Sequence, residues 1–174
     1  MKCRAKIAAL LLSVSCVLVN AQSAPEGGAQ DTQARGYWID PSTGLMWAGK
    51  DNGKDVNWKK AMKYCRDLRL AGYSDWRLAN IGELQGIYDK TANAPGLAGG
   101  HDDVQTMWHV KGNLFLSGNQ WSSTRRYDDR GHPAGYAFRF DFNEGRQFDG
   151  DELSFHTFKR ALCVRGSWNG RRLN

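Results

Sequence analysis

An eight-residue run, Arg125-Arg126-Tyr127-Asp128-Asp129-Arg130-Gly131-His132, gathers three guanidinium groups, a phenol, two carboxylates and an imidazole. The planar fork of arginine suits sulfate and carboxylate groups, which it can hold through two parallel N–H bonds. A tyrosine ring beside it offers a flat face to a sugar. Arg125, Arg126, Tyr127 and Arg130 are therefore candidate ligand-binding residues, with Trp108 and His109 as candidates for the same surface. The plainer reading of the run is a solvated loop whose local ion pairs contribute little.

Carboxylates cluster at His101-Asp102-Asp103, Asp128-Asp129 and Asp149-Gly150-Asp151-Glu152. Asp149, Asp151 and Glu152 have the spacing of a hard-oxygen site and are candidate Ca²⁺ ligands. No twelve-residue EF-hand loop accompanies them, nor a Glu-Pro-Asn or Gln-Pro-Asp tripeptide, so solvated acidic turns are the plainer reading and no cofactor is expected. No His or Cys pair has zinc spacing. Catalytic patterns are equally thin. Ser122 and Ser123 sit in no Gly-x-Ser-x-Gly turn, and His101, His109, His132 and His156 are scattered. Acidic pairs that could hydrolyse a glycoside exist, as in any domain of this size. No catalytic residue is assigned, and binding is expected rather than catalysis.

The first residues bear on where such binding would occur. Lys2, Arg4 and Lys6 precede an apolar run from Ile7 to Val19, which closes on Val19-Asn20-Ala21. This is the pattern of a secretory signal over residues 1–21, and the run is short for a bilayer span. Cys16 is a poor lipidation site because Ser13 stands where leucine is usual. Removal of three cations lowers the formal charge from +6 to +3. That balance, without basic runs interleaved with aromatics, does not point to nucleic acid, and no stable membrane insertion is expected. Cys3 and Cys16 leave with the signal, while Cys65 and Cys163 remain as a pair in an oxidising compartment. A bond between them would close a loop of roughly 100 residues and contribute about 4–5 kcal/mol by chain entropy, less any strain.

The elements that must position these residues follow. Residues 22–35 read as a flexible leader, and residues 167–174 as a loose basic tail. Tyr37-Trp38-Ile39 and Leu45-Met46-Trp47 flank an Asp-Pro-Ser-Thr-Gly turn and predict a hairpin. Asn57 caps a helix whose apolar stripe is Trp58, Ala61, Met62, Cys65, Leu68 and Leu70, with Lys59, Lys60, Lys63, Arg66 and Asp67 on the other face. Gly72 ends it. Asp75 to Leu78 is an extended bridge that buries Trp76 and Leu78. Asn80 and Glu83 then form a capping-box variant for a second helix. From Thr91 to Gln120 the pattern dissolves into a long loop packed on the body. Trp121 to Thr124 is extended, Arg125 to Pro133 is a charged loop, and Tyr136 to Phe142 is a period-two strand. Arg146 to Phe148 returns from it, Asp149 to Asp151 ends the return, and a final strand runs from Lys159 to Gly166.

Thr43-Gly44-Leu45-Met46-Trp47, Trp58 with Ala61 and Cys65, Asp75-Trp76-Arg77-Leu78 with Glu83-Leu84, Trp121-Ser122-Ser123-Thr124 and Cys163-Val164-Arg165 occur in one order. This set resembles the Lcl C-terminal domain family, named for the C-terminal domain of a bacterial collagen-like adhesin, over residues 36–166. One departure is visible: Ala79 and Asn80 stand where the family usually has proline and threonine, and asparagine keeps the capping role. The resemblance implies an α+β, C-type-lectin-like fold of two helices and a twisted antiparallel sheet with a long loop region. It also implies that the helix cysteine bonds to the last strand. The adhesin relative is associated with sulfated glycans and with trimers. This chain lacks a Gly-X-Y repeat, so the trimer is not carried over and the oligomeric state stays open. The expected partner is a glycan or an envelope protein, met in the periplasm or outside the cell. The rival readings are an enzyme of the formylglycine-generating type, a hydrolase, or a purely structural envelope protein.

Overall fold

The computed structural model describes residues 32–98 and 101–167, the side chains of residues 101–104 excepted. The signal segment, residues 22–31 of the leader, the tail beyond Ser167 and the side chains of His101, Asp102 and Asp103 lie outside the described residues.

β1 (Tyr37–Ile39) and β2 (Met46–Ala48) form the expected hairpin, with Trp38 opposite Trp47. Its turn is organised by the buried Asp40 carboxylate, which accepts hydrogen bonds from Ser42 N (3.0 Å), Ser42 Oγ (2.7 Å) and Thr43 Oγ1 (2.7 Å). The chain continues through α1 (Trp58–Asp67), β3 (Arg77–Leu78), α2 (Ile81–Gly86), β4 (Ala94–Ala98), β5 (His101–Trp108), β6 (Asn119–Tyr127), β7 (Pro133–Asp141), β8 (Arg146–Glu152), β9 (Lys159–Arg160) and β10 (Cys163–Arg165). One antiparallel sheet has the order β1-β2-β10-β3. A second has the order β8-β7-β6-β9, with β9 parallel to β6. β4 and β5 make a separate hairpin. The fold is α+β, and no helix among the described residues is long and apolar enough to cross a membrane.

β2 and β10 are covered on both faces, which is why their residues read as continuous apolar runs. Leu45, Trp47, Leu162 and Val164 enter one core cluster with Leu84, Trp108, Phe140 and Phe142. Met46, Ala48, Ala161 and Cys163 enter a second with Ala61, Cys65, Trp76, Leu78 and Trp121. The Cys65–Cys163 disulfide ties α1 to β10 inside this second cluster, across a Cα separation of 5.3 Å.

The Asp-Trp-Arg-Leu segment is the joint between the helices. Trp76 and Leu78 are buried, while Arg77 turns outward and grips Glu83 through two bonds, Nη1 to Oε2 at 2.7 Å and Nη2 to Oε1 at 2.6 Å. Glu83 Oε2 also accepts from Asn80 N, and Asn80 Oδ1 accepts from Glu83 N, so the capping box is complete. A buried carboxylate thereby caps α2 and fixes the preceding strand at once.

Several expected boundaries are corrected. α1 ends at Asp67, not at Gly72. Leu68 leaves the helix in an extended conformation, and Leu70 and Tyr73 close a tight turn by reciprocal hydrogen bonds, with Ala71 and Gly72 at positive φ. The Thr91–Gln120 stretch contains the β4–β5 hairpin rather than loop alone. Gly96 breaks its pattern for a packing reason: a Cβ there would lie 2.1 Å from Leu116 O and 2.5 Å from the Trp108 ring. The Arg125–Pro133 loop is shorter than expected, since β6 reaches Tyr127 and β7 starts at Pro133. β8 continues through Asp149–Asp151. The final strand splits, with β9 in one sheet and β10 in the other. Residues 32–35 already form a helical turn, with Thr32 buried.

Candidate functional site

The charged run sits at the far end of the β6–β7 hairpin. Asp128 builds the turn: its Oδ1 accepts from Arg130 N (2.9 Å) and His132 N (2.8 Å). Arg126, Tyr127 and Arg130 are exposed around this tip, Tyr127 by 57 %. Arg125 is half-buried on β6 with its guanidinium over the Trp58 ring at 5.6 Å. Its Nε is shielded and has no hydrogen-bond partner among the described residues.

Trp108 and His109 do not complete a surface with this tip. Trp108 is a core residue, 3 % exposed, whose Nε1 donates to Leu97 O at 3.2 Å. Its ring fills the space against Gly96, so it offers no face to a ligand. His109 is half-buried, with Nδ1 2.8 Å from Ala92 O and its ring edge-on to Tyr88. Asp149, Asp151 and Glu152 lie along β8. Asp151 is bound between two cations, with Oδ2 2.6 Å from Arg139 Nε and 3.3 Å from Lys159 Nζ. A register shift in the β7–β8 pairing interrupts the alternation of β8 between Phe148 and Asp151, and Asp151 shares Arg139 with the Phe148 ring rather than facing a ligand with Asp149 and Glu152. Among the described residues no three His, Cys, Asp or Glu side chains gather as a metal site.

A different surface is concave. A groove of about 430 Å³ runs beside α1, floored by Val56, Tyr64 and Leu68. Lys54, Lys60, Lys63 and Arg69 rim it. Lys50 lines a smaller adjoining hollow of about 230 Å³ that shares Tyr64 and Leu68 with the groove. Among the described residues that line the groove the one carboxylate is Asp67, and it is paired with Lys63 one helical turn away. That bond holds its carboxyl below the usual range, helped by Arg66 and Arg69. The rim therefore carries a marked cationic excess over an apolar floor.

The loop that brings Lys50 and Lys54 to the helix is held by buried polar contacts. Asp51, 3 % exposed, accepts from Ser117 N (2.7 Å), Ser117 Oγ (2.8 Å), Gln120 Nε2 (2.9 Å) and Gly53 N (2.9 Å). Burial nevertheless pushes its carboxyl above the ordinary value. The same loop is pinned at Asn52, whose Oδ1 accepts from Ala161 N at 2.7 Å, and at Val56, whose carbonyl accepts from Trp121 Nε1 at 2.9 Å. Arg160, fully buried, donates from Nε to Ser117 Oγ at 2.8 Å and pairs with Asp55 through Nη1. Tyr64, half-buried in the groove, has its phenol pKa raised first by burial and then by the nearby Asp51 charge. It stays neutral and can meet a ligand as a ring with a polar tip.

Sequence periodicity placed Lys60 and Lys63 on the face of α1 opposite its apolar stripe, without a partner for that face. The convergence of Lys50, Lys54 and Arg69 onto it depends on the path of the flanking loops, which no local pattern encodes. The family model for the Lcl C-terminal domain matches residues 36–165. No curated protein matches the chain.

Proposed function

The chain belongs to the Lcl C-terminal domain family, an adhesin-associated domain family, and from that premise we propose that it is an exported module that binds an anionic glycan without transforming it. The observation that carries this reading is the groove along α1, where four cations rim an apolar floor containing a neutral tyrosine. Sulfate and carboxylate groups would meet the ammonium and guanidinium heads, and sugar faces would lie on Tyr64 and Leu68. A C-type-lectin-like frame fits the same picture. It is supported by the helix-to-last-strand disulfide and by the long excursion between α2 and β6. Export is supported by the signal pattern of residues 1–21 together with that disulfide.

The test compares a sulfated polysaccharide with its desulfated form, with and without a chelator. Sulfated polymer is retained, the chelator changes nothing, and Lys60→Glu with Lys63→Glu weakens binding by about ten-fold or more at low salt. That factor corresponds to roughly 0.7 kcal/mol per reversed exposed charge. Equal retention of the desulfated polymer, or an unchanged double variant, contradicts the reading. A second reading places the contact on the β6–β7 tip, with a glycan or an envelope protein as partner. It is favoured by the exposed Tyr127 between Arg126 and Arg130. Loss of binding in Arg126→Ala with Arg130→Ala, but not in the lysine variant, would select it.

A further inference from the structure

The loop between β8 and β9 holds two exposed aromatic residues, Phe155 and Phe158, and the second sits in a conformation that disfavours it. Phe158 has φ +58°, in the left-handed region that glycine, asparagine and aspartate enter readily and an aromatic residue does not. Its surroundings enforce this. Phe158 N donates to Asp55 Oδ1 at 3.1 Å, and its carbonyl accepts from Asn119 N at 3.0 Å. Gly118 lies so close that a Cβ there would stand 2.9 Å from that carbonyl oxygen. Phe158 gains little burial in return, since it stays 44 % exposed. Phe155 is equally exposed but covers the Lys159 ammonium, 4.7 Å from its ring centroid. For Phe158 a strained backbone and an uncovered ring bring the fold no benefit, and such strain marks a residue that serves a contact.

This loop abuts the basic groove. Val56 N donates to Lys159 O at 3.1 Å and Asn52 N to Ala161 O at 3.2 Å, and both Asn52 and Val56 line the groove. Backbones paired in this way run about 5 Å apart. Phe158, bonded to Asp55 between Lys54 and Val56, therefore stands beside the groove wall. Residues Glu152–Phe158 contain no lysine or arginine, and Glu152 is exposed. Lys159 is buried and shares Asp151 with Arg139. A bilayer surface favours cations around aromatic anchors, so this loop suits a neutral partner with flat apolar faces instead. The uncharged rings of a sugar chain have such faces.

We propose that Phe158, extended by Phe155 in the same loop, is a stacking platform for uncharged sugar rings next to the groove. The ligand is then an internal stretch of polysaccharide, with its anionic groups on the groove lysines and its following rings on the platform. This rests on reading the groove as an anionic-glycan site, and it commits that site to a chain rather than to a terminal sugar.

Size-graded oligosaccharides cut from one sulfated polysaccharide test it, titrated calorimetrically into the wild type and Phe158→Asn. Oligosaccharides no longer than α1, about 15 Å, should bind both proteins alike. Longer ones should bind the wild type about three-fold more tightly or better, and Phe158→Asn should abolish that gain. Asparagine enters the left-handed region more readily than phenylalanine, so the variant should keep or raise the urea midpoint. A fall in the midpoint would give the ring a structural role and overturn the proposal. A length-dependent gain that survives in Phe158→Asn overturns it while leaving the groove in place, provided that Lys60→Glu with Lys63→Glu still loses binding. Equal losses for short and long oligosaccharides would make the ring part of the groove, which also overturns it. Retention of the wild type, but not Phe158→Asn, on phosphatidylglycerol vesicles would assign the loop to a membrane surface instead. If no oligosaccharide of any length binds the wild type, the groove reading itself falls and the platform with it.

Discussion

Replacing Asp51 by alanine removes the acceptor that organises the loop in front of α1. Four donors converge on this carboxylate: Ser117 N, Ser117 Oγ, Gln120 Nε2 and Gly53 N, at 2.7–2.9 Å. Gln120 keeps its second bond to Gly118 O, and Ser117 Oγ can turn its proton elsewhere. Two backbone N–H groups and one amide hydrogen are left facing a small void. Each unsatisfied buried donor costs about 1–3 kcal/mol, and a water entering the void would return part of that, so the net loss is roughly 2–5 kcal/mol. The pH dependence gives a second handle. Burial holds the folded-state Asp51 carboxyl above its ordinary value, so the folded protein binds this proton more readily than the unfolded chain. Its contribution to stability is complete below the unfolded pKa of about 3.9 and declines as pH rises through the raised folded value. Urea denaturation of the wild type and Asp51→Ala at neutral and mildly acidic pH should show a gap of that size, wider in acid. Carboxylates common to both proteins cancel in the difference. A gap below about 1 kcal/mol, or one that narrows on acidification, would refute the reasoning.

Two further perturbations test the frame. Gly112 has φ +71°, and a Cβ there would stand 2.2 Å from the Trp38 ring, so Gly112→Ala should cost about 2 kcal/mol or more and lower the thermal midpoint. Replacing both Cys65 and Cys163 by serine should cost about 2–5 kcal/mol in urea denaturation, because the bond closes a loop spanning 98 residues inside the core; an unchanged midpoint would mean that the clamp is dispensable.

The parts of the fold that could be read from the sequence are those with a local cause. Asn80 and Glu83 declare a helix start three residues apart, and the box is formed as read. Cys65 on an apolar stripe and Cys163 in an apolar run had one partner each once the signal was set aside, and they are bonded. The β4–β5 hairpin escaped because Gly96 is dictated by Leu116 O and the Trp108 ring rather than by strand preference. Packing of the long segment through Trp108 was legible, but its offer as a ligand residue fails because the β4–β5 hairpin, which was not visible, closes over its ring. The split of the last strand depends on long-range pairing: Arg160 matches Gln120 in one sheet, and Val164 matches Trp47 in the other. The groove was half legible. Lys60 and Lys63 were on the outer face of α1, but the approach of Lys54 follows from Asp51 reaching Ser117 and Gln120, more than sixty residues away.

The most direct measurement of the central claim maps backbone amide shifts while a sulfated oligosaccharide is titrated into the isotopically labelled protein. The largest changes should fall on Lys54 to Arg69, centred on Lys60, Lys63 and Tyr64, and should disappear as salt is raised. Changes centred on Arg126 to His132, or a spectrum that does not move at saturating oligosaccharide, would contradict it.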